Sequence, residues 1–324
     1  MDSTDLEAIL RASGPPAAGV VVGVVGPTAT GKSDLAIALC LRLGGEVVGA
    51  DASQLYRGMD IGTAKVPLEE RDGIPHHQLD VLDVTEEASV AAYQGGARAD
   101  IDSVLARGAL PVVAGGSGLY VRAALDRLEI PPTDPQVRAA LLERLDHEGI
   151  AALLAELRVA DPRAADAIEP NNGRRVVRAL EVIALTGRPF SATMPTREFV
   201  RPTVLVGLRT DREALDVRVD RRARRMFDAG LVEETRGLVD LGLREGRTAS
   251  RAVGYAQALA VIDGTITVEE AVAETARRTR RLVRRQESWF GADPRVTWFD
   301  PVAGPWDHLV DRVVDHVTHN GAHG

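Results

Sequence analysis

Apolar positions along the chain fall into two patterns. Residues 20–25 (VVVGVV), 46–51 (EVVGAD), 110–116 (LPVVAGG) and 203–208 (TVLVGL) are short, nearly continuous, valine-rich runs. Such runs predict strands buried on both faces of a parallel sheet. Around them the spacing is helical, at 34–39, 138–158, 161–169, 173–186, 211–229, 231–242, 251–263 and 268–290. Strands alternating with helices predict an α/β fold, a doubly wound parallel sheet. The stretch after Pro131, Pro132 and Pro135 is rich in Ala and Leu and has no strand pattern. The expected division is therefore a core from 15–124 and 201–303, a helical insert at 125–200, and a helix or tail at 304–324.

The first strand runs into Gly26-Pro27-Thr28-Ala29-Thr30-Gly31-Lys32-Ser33, a complete G-x-x-x-x-G-K-[ST], and then into a helix. In that context the loop N–H groups close around phosphate oxygens, Lys32 supplies a cation, and Ser33 can hold Mg²⁺. The fold is thus of the P-loop type, and the motif is one that also binds ATP. An ATPase would normally end a later strand in Asp. Here 110–114 ends in Gly115-Gly116-Ser117-Gly118-Leu119-Tyr120, which points toward a transferase. Asp51 follows the second strand, where open α/β sheets place their ligand crevice. On position alone it either caps the next turn or takes a proton from a nucleophile.

Composition narrows the class. No run of about 18 apolar residues appears, and the N-terminus lacks a signal-peptide pattern, so a cytoplasmic protein without a membrane span is expected. One cysteine, Cys40, excludes an internal disulfide framework and reads as a packed small hydrophobe. The net charge of −8 argues against indiscriminate polyanion binding. Yet of 39 basic residues only Lys32 and Lys65 are lysine, and the arginines cluster: six lie within 277–285, and Arg174, Arg175 and Arg178 open a helix of the insert. Phosphate contacts act over about a Debye length, so local patches can bind RNA despite the total. Some of the 277–285 arginines must instead pair with acids such as Glu269, Glu270 and Glu274.

The segment Asp51-Ala52-Ser53-Gln54-Leu55-Tyr56-Arg57-Gly58-Met59-Asp60-Ile61-Gly62-Thr63-Ala64-Lys65, with the phosphate loop, closely resembles the tRNA dimethylallyltransferases (tRNA isopentenyltransferases). Further matches in family order are Pro75-His76-His77, Gly115 to Tyr120, Arg174-Arg175-Val176-Val177-Arg178, Gly254-Tyr255 and Arg285-Gln286-Glu287-Ser288-Trp289-Phe290. They span about residues 20–300. The resemblance implies transfer of a dimethylallyl group from its diphosphate to N6 of the adenosine 3′-adjacent to the anticodon, with Mg²⁺, by a monomer acting on the tRNA anticodon stem-loop.

By the same resemblance, Asp51 accepts the N6 proton, and Lys32, Ser33 and the loop hold the diphosphate with Arg222. Ser117, where the family usually carries Thr, keeps the hydroxyl. Contacts to tRNA are expected from Asp51, Ala52, Ser53, Gln54, Ser117, Arg138, Arg174, Arg175, Val176, Val177, Arg178, Arg251, Ala252, Val253, Gly254, Tyr255 and Ala256. A basic groove between core and insert would carry them. A P-loop kinase would explain the phosphate loop and Asp51, but not the Gly-Gly-Ser-Gly-Leu-Tyr strand end. Three Trp, four Tyr and five Phe are too few for a long stacking platform. Trp289 and Phe290 are expected in the core, His76 and His77 as loop anchors, and His308, His316, His319 and His323 on a frayed terminal helix.

Overall fold

The computed structural model describes residues 19–193 and 196–321. His323 and the start of the expected core at residue 15 lie outside them. Six parallel strands form one sheet: β1 (Val21–Val25), β2 (Gly45–Gly49), β3 (His76–His77), β4 (Leu110–Gly115), β5 (Thr203–Leu208) and β6 (Val296–Phe299), in the order β3-β2-β4-β1-β5-β6. The valine runs became strands because continuous apolar sequence suits a sheet covered on both faces. The edge strands β3 and β6 were not anticipated.

The helices are α1 (Lys32–Leu43), α2 (Val90–Ala106), α3 (Gly118–Leu125), α4 (Pro135–Glu148), α5 (Ile150–Ala160), α6 (Pro162–Ala167), α7 (Gly173–Thr186), α8 (Arg212–Asp228), α9 (Leu231–Asp240), α10 (Tyr255–Ile262), α11 (Val268–Gly291) and α12 (Trp306–Gly321). Their starts follow local chemistry. Asp134, Asp161, Asn172 and Asp211 accept N–H bonds from the first turns of α4, α6, α7 and α8. Thr267 and Glu270 close a capping box on α11. The expected single helix at 138–158 is two helices, because Gly149 takes φ +79° between them.

The described residues separate into two compact units. One holds the sheet, with residues up to Leu125 and from Phe199 onward; the other is Asp126–Glu198. In the first, Val22, Val24 and Val112 face α1 and α12 in a single apolar cluster. Gly23 points the other way, toward Leu125 of α3. The helices after β1 and β4 thus leave on opposite faces, and a crevice opens between the carboxyl ends of these adjacent strands. A second cluster joins α8, α9, α10 and α11 through Phe227, Leu231, Tyr255, Ala271 and Val272.

The C-terminal helix is no frayed tail over its described length. Leu309, Val310, Val313, Val314 and Val317 of α12 enter the sheet's main apolar cluster, and the His316 ring meets Phe299 edge-on. In the second unit, Leu153, Leu157, Ile168, Val176, Val177 and Leu180 form its own core, which is what lets it fold as a separate helical unit.

Candidate functional site: the phosphate cleft

The loop between β1 and α1 needs glycine at its first position. Gly26 has φ +134°, and a Cβ there would lie 2.4 Å from the Leu208 carbonyl oxygen. Ala29 is also held at positive φ, 65°. At the other end, the N–H groups of the first turn of α1 have no intrahelical acceptor and present the positive end of the helix dipole, which favours an anion. The loop braces itself: Thr30 Oγ1 donates to Pro27 O at 2.9 Å, and Lys32 Nζ donates to the same oxygen at 2.6 Å. Thr30 therefore turns inward, whereas Ser33 is exposed at the helix start.

A cleft of about 470 Å³ gathers Lys32, Ser33, Asp34, Asp51, Arg218 and Arg222 around this loop. Gln54, Glu70, Gly115, Gly116, Arg221 and Arg225 are also on its wall. On α8, Arg222 NH1 donates to Thr28 Oγ1 at 3.2 Å, while Arg218, Arg221 and Arg225 line the cleft without reaching that atom. Burial of the Lys32 amine, aided by repulsion from Arg222 and opposed by Asp51, lowers its pKa to about 7. Burial likewise works against the Arg222 charge, which Asp51 and Asp34 support. Burial also raises Asp34, against the pull of Arg222. Several positive groups are thus held close together at a cost that a bound polyanion removes.

Asp51 sits just past β2. Its Oδ1 accepts the Ser53 N–H at 3.0 Å, so the turn-capping role is real, and the residue also lines the cleft. Ser117 Oγ accepts the Ala52 N–H at 3.4 Å, which ties the turn after β4 to the Asp51 loop. Gln54 Nε2 donates to Thr63 O at 3.1 Å and closes the loop on itself. Lys65, the second lysine, is buried: its ammonium meets Tyr56 O at 2.6 Å, Asp60 at 2.8 Å and Asp80 at 2.5 Å. It staples the segment that begins at Asp51. Tyr255 supports the same segment, donating to Glu234 Oε1 at 2.5 Å and accepting the Gly62 N–H at 3.2 Å.

Beside Thr28 and Asp51 lies a smaller pocket of about 110 Å³. Val219, Ala223, Met226, Val253 and Leu282 form its apolar side, and Arg222, Gln286, Ser53, Thr63 and Thr279 are among the polar residues that border it. Of these apolar wall residues sequence reading named only Val253, and that as an RNA contact, because nothing in helical spacing separates a pocket wall from core packing. The hydroxyl of Thr275, also on the wall, is buried without a partner among the described residues.

The expected RNA-contact residues divide by exposure. Arg174, Arg175 and Arg251 are exposed; Ala52, Ser53, Gln54, Ala252, Val253 and Ala256 are partly so. Val176, Val177 and Tyr255 are buried and their side chains serve packing, and Gly254, also buried, has no side chain to offer. Arg138 and Arg178 both bind Glu181, itself fully buried, at 2.7 and 2.8 Å. Arg178 also donates to Pro131 O and Pro132 O. Of the 277–285 cluster, Arg277 and Arg278 pair with Glu274 and Arg280 with Asp220. Glu269 serves Arg224 instead, and Glu270 serves the helix cap.

Three further expectations meet the structure here. Phe290 is in the core at 4% exposure, but Trp289 is not: it is 45% exposed, and its ring fills the space a side chain at Gly118 would take. His76 and His77 form the edge strand β3, where His77 Nε2 meets Glu46 at 2.6 Å. Cys40 is buried in the main cluster, which pushes its thiol up to about 12.

Among the described residues no helix is long and apolar enough to cross a membrane. The IPP transferase family model matches residues 54–293. A tRNA dimethylallyltransferase of Streptomyces coelicolor is 60% identical over 286 residues, covering 88% of this chain and 92% of that protein. One from Kineococcus radiotolerans is 60% identical over 303 residues, covering 91% and 95%. The crystal structure of a full-length tRNA isopentenylpyrophosphate transferase from Bacillus halodurans is 39% identical, with a TM-score of 0.69 over 94% of this chain and 97% of that one. A eukaryotic dimethylallyltransferase caught acting on tRNA gives a TM-score of 0.79 at 26% identity, over 91% and 77%. The chain belongs to the IPP transferase family, the tRNA dimethylallyltransferases, and is a transferase.

Proposed function

We propose that the chain transfers a dimethylallyl group from dimethylallyl diphosphate to N6 of the adenosine 3′-adjacent to the anticodon in tRNA, releasing diphosphate. The observation that carries this is the junction of two spaces at Thr28, Asp51 and Arg222: a cationic cleft that can take a diphosphate and a small pocket with one apolar side beside it. A cavity of about 150 Å³ holds benzene, so a pocket of about 110 Å³ is of the size of a five-carbon alkyl group.

In the reaction the allylic C1–O bond breaks, its electrons leave with the diphosphate, and the N6 lone pair forms the new bond to C1. The N6 proton goes to Asp51, which borders both spaces. Lys32, Arg222 and the α1 N–H groups neutralise charge growing on the diphosphate. The Asp51 turn, fixed by Ser53, Ser117, Lys65 and Tyr255, holds the carboxylate in place.

The residues present fit Mg²⁺ only together with the diphosphate: Ser33 and Asp34 offer oxygens on the cleft, and no cluster of three or more metal-ligating side chains occurs among the described residues. Bound there, the ion would lower the charge on the leaving group. For tRNA, exposed Arg174, Arg175 and Arg251 offer phosphate contacts, and the target base leaves its stack to reach Asp51.

The test is to incubate the protein and Mg²⁺ with labelled dimethylallyl diphosphate and either unmodified tRNA, AMP or no acceptor. Label on tRNA is expected. Label on AMP but not tRNA, or ATP-dependent phosphorylation with no prenyl transfer, overturns the reading.

A further inference from the structure

Gln286 lies on the inward face of α11 and is 6% exposed. Its neighbours on that face, Val272, Ala276, Val283 and Phe290, are apolar. A buried amide in such a row costs free energy unless both of its ends are paired. Here both are, and neither partner belongs to the helix. Oε1 accepts the Thr28 N–H at 2.9 Å, and Nε2 donates to Gly116 O at 2.9 Å. One side chain therefore ties the phosphate loop to the turn after β4.

The fit leaves no slack. A Cβ on Gly116 would lie 2.3 Å from Nε2, so glycine there makes room for the amide. Thr28 is held from two sides, its N–H by Gln286 and its hydroxyl by Arg222. The turn that Gln286 grips continues to Ser117, which in turn holds the Asp51 loop. Carboxylate, thioether or alkyl side chains of similar length cannot both accept and donate in this way at neutral pH.

We propose that Gln286 is a positioning residue for prenyl transfer: by fixing the separation of the phosphate loop and the Gly115–Gly118 turn, it sets where the diphosphate departs relative to Asp51. Its two bonds go to backbone groups of the loop and the turn, so it acts through them. The inference rests on the transfer reading above and adds a residue to which sequence and resemblance gave no role.

The experiment uses the full chain with Gln286→Met, which keeps the length and loses both bonds, and Gln286→Glu, which loses the donor. Steady-state KM for each substrate and kcat are measured, with the Kd of inorganic diphosphate and the thermal midpoint. In Gln286→Met, KM for dimethylallyl diphosphate and Kd for diphosphate should rise about tenfold, as expected for two lost hydrogen bonds. Gln286→Glu should raise them further, since a carboxylate then opposes the Gly116 carbonyl, and KM for tRNA should stay put in both. Wild-type donor KM and diphosphate Kd, or an equal rise in KM for tRNA, would overturn the proposal. If Gln286→Glu does not fold, the Gln286→Met diphosphate Kd decides alone. Absence of prenyl transfer by the wild-type chain would count against the transfer reading, whereas the diphosphate Kd still judges Gln286.

Discussion

Asp51 and Lys32 line one cleft with opposite charge, and each makes a separate prediction. If Asp51 takes the N6 proton, Asp51→Ala should lower kcat by about 10²–10⁴ while leaving tRNA affinity largely intact, read by single-turnover kinetics beside a tRNA-binding assay. A near-normal rate would show the proton leaving by another route. Lys32, with its pKa lowered to about 7, is charged below that pH and increasingly neutral above it. Donor binding above pH 7 must therefore take up a proton. The association constant for dimethylallyl diphosphate should fall with rising pH from 7 to 9, by up to about tenfold per unit. A flat profile in isothermal titration would mean that Lys32 is already charged in the free protein. At this scale the sequence was legible as far as position: Lys32, Asp51 and Arg222, named from motif, strand end and helical spacing, all line one cleft. It was silent on Gln286, because its two partners are 258 and 170 residues away and only folding brings them to one amide.

Among the elements, α8 and α11 do the most for the site. They place Arg222, Met226, Leu282 and Gln286 around the small pocket. If that pocket limits chain length, Met226→Ala should reduce the preference for dimethylallyl over geranyl diphosphate by at least about tenfold in kcat/KM. An unchanged ratio would place the alkyl group elsewhere.

In the second unit, α4 and α7 are joined at Glu181. Burial alone would raise its pKa, but bonds from Arg138, Arg178 and the Asp134 N–H hold it below the usual carboxylate range. A depressed carboxylate stabilises the fold above the unfolded value of about 4.3 and ceases to do so as pH falls through the folded value. Glu181→Ala should cost about 3–5 kcal/mol in that unit, because two cations lose their buried partner. Urea denaturation monitored by circular dichroism would read it, and a change under about 1 kcal/mol would count against the pairing. Long helices and central strands were legible because many residues share one period. The break at Gly149, the two-residue β3 and the four-residue β6 were not, since tertiary pairing decides elements that short.

For the whole molecule, the charge of −8 and the concentration of arginine describe different things. Much of the arginine is neutralised internally, as at Glu181, Glu274 and Asp220, so a count of basic residues overstates the surface offered to RNA. Each exposed arginine that does meet a phosphate, Arg174 or Arg175 for instance, should on removal reduce the salt dependence of tRNA binding by about one unit of slope. What joins cleft, pocket and arginines into one function is the nucleotide that receives the alkyl group. The direct measurement is mass spectrometry of nuclease-digested tRNA after reaction with dimethylallyl diphosphate and Mg²⁺. The account predicts a dimethylallyl mass gain confined to the adenosine 3′-adjacent to the anticodon, and lost with Asp51→Ala. A gain on any other nucleotide, or none while the donor is consumed, would contradict it.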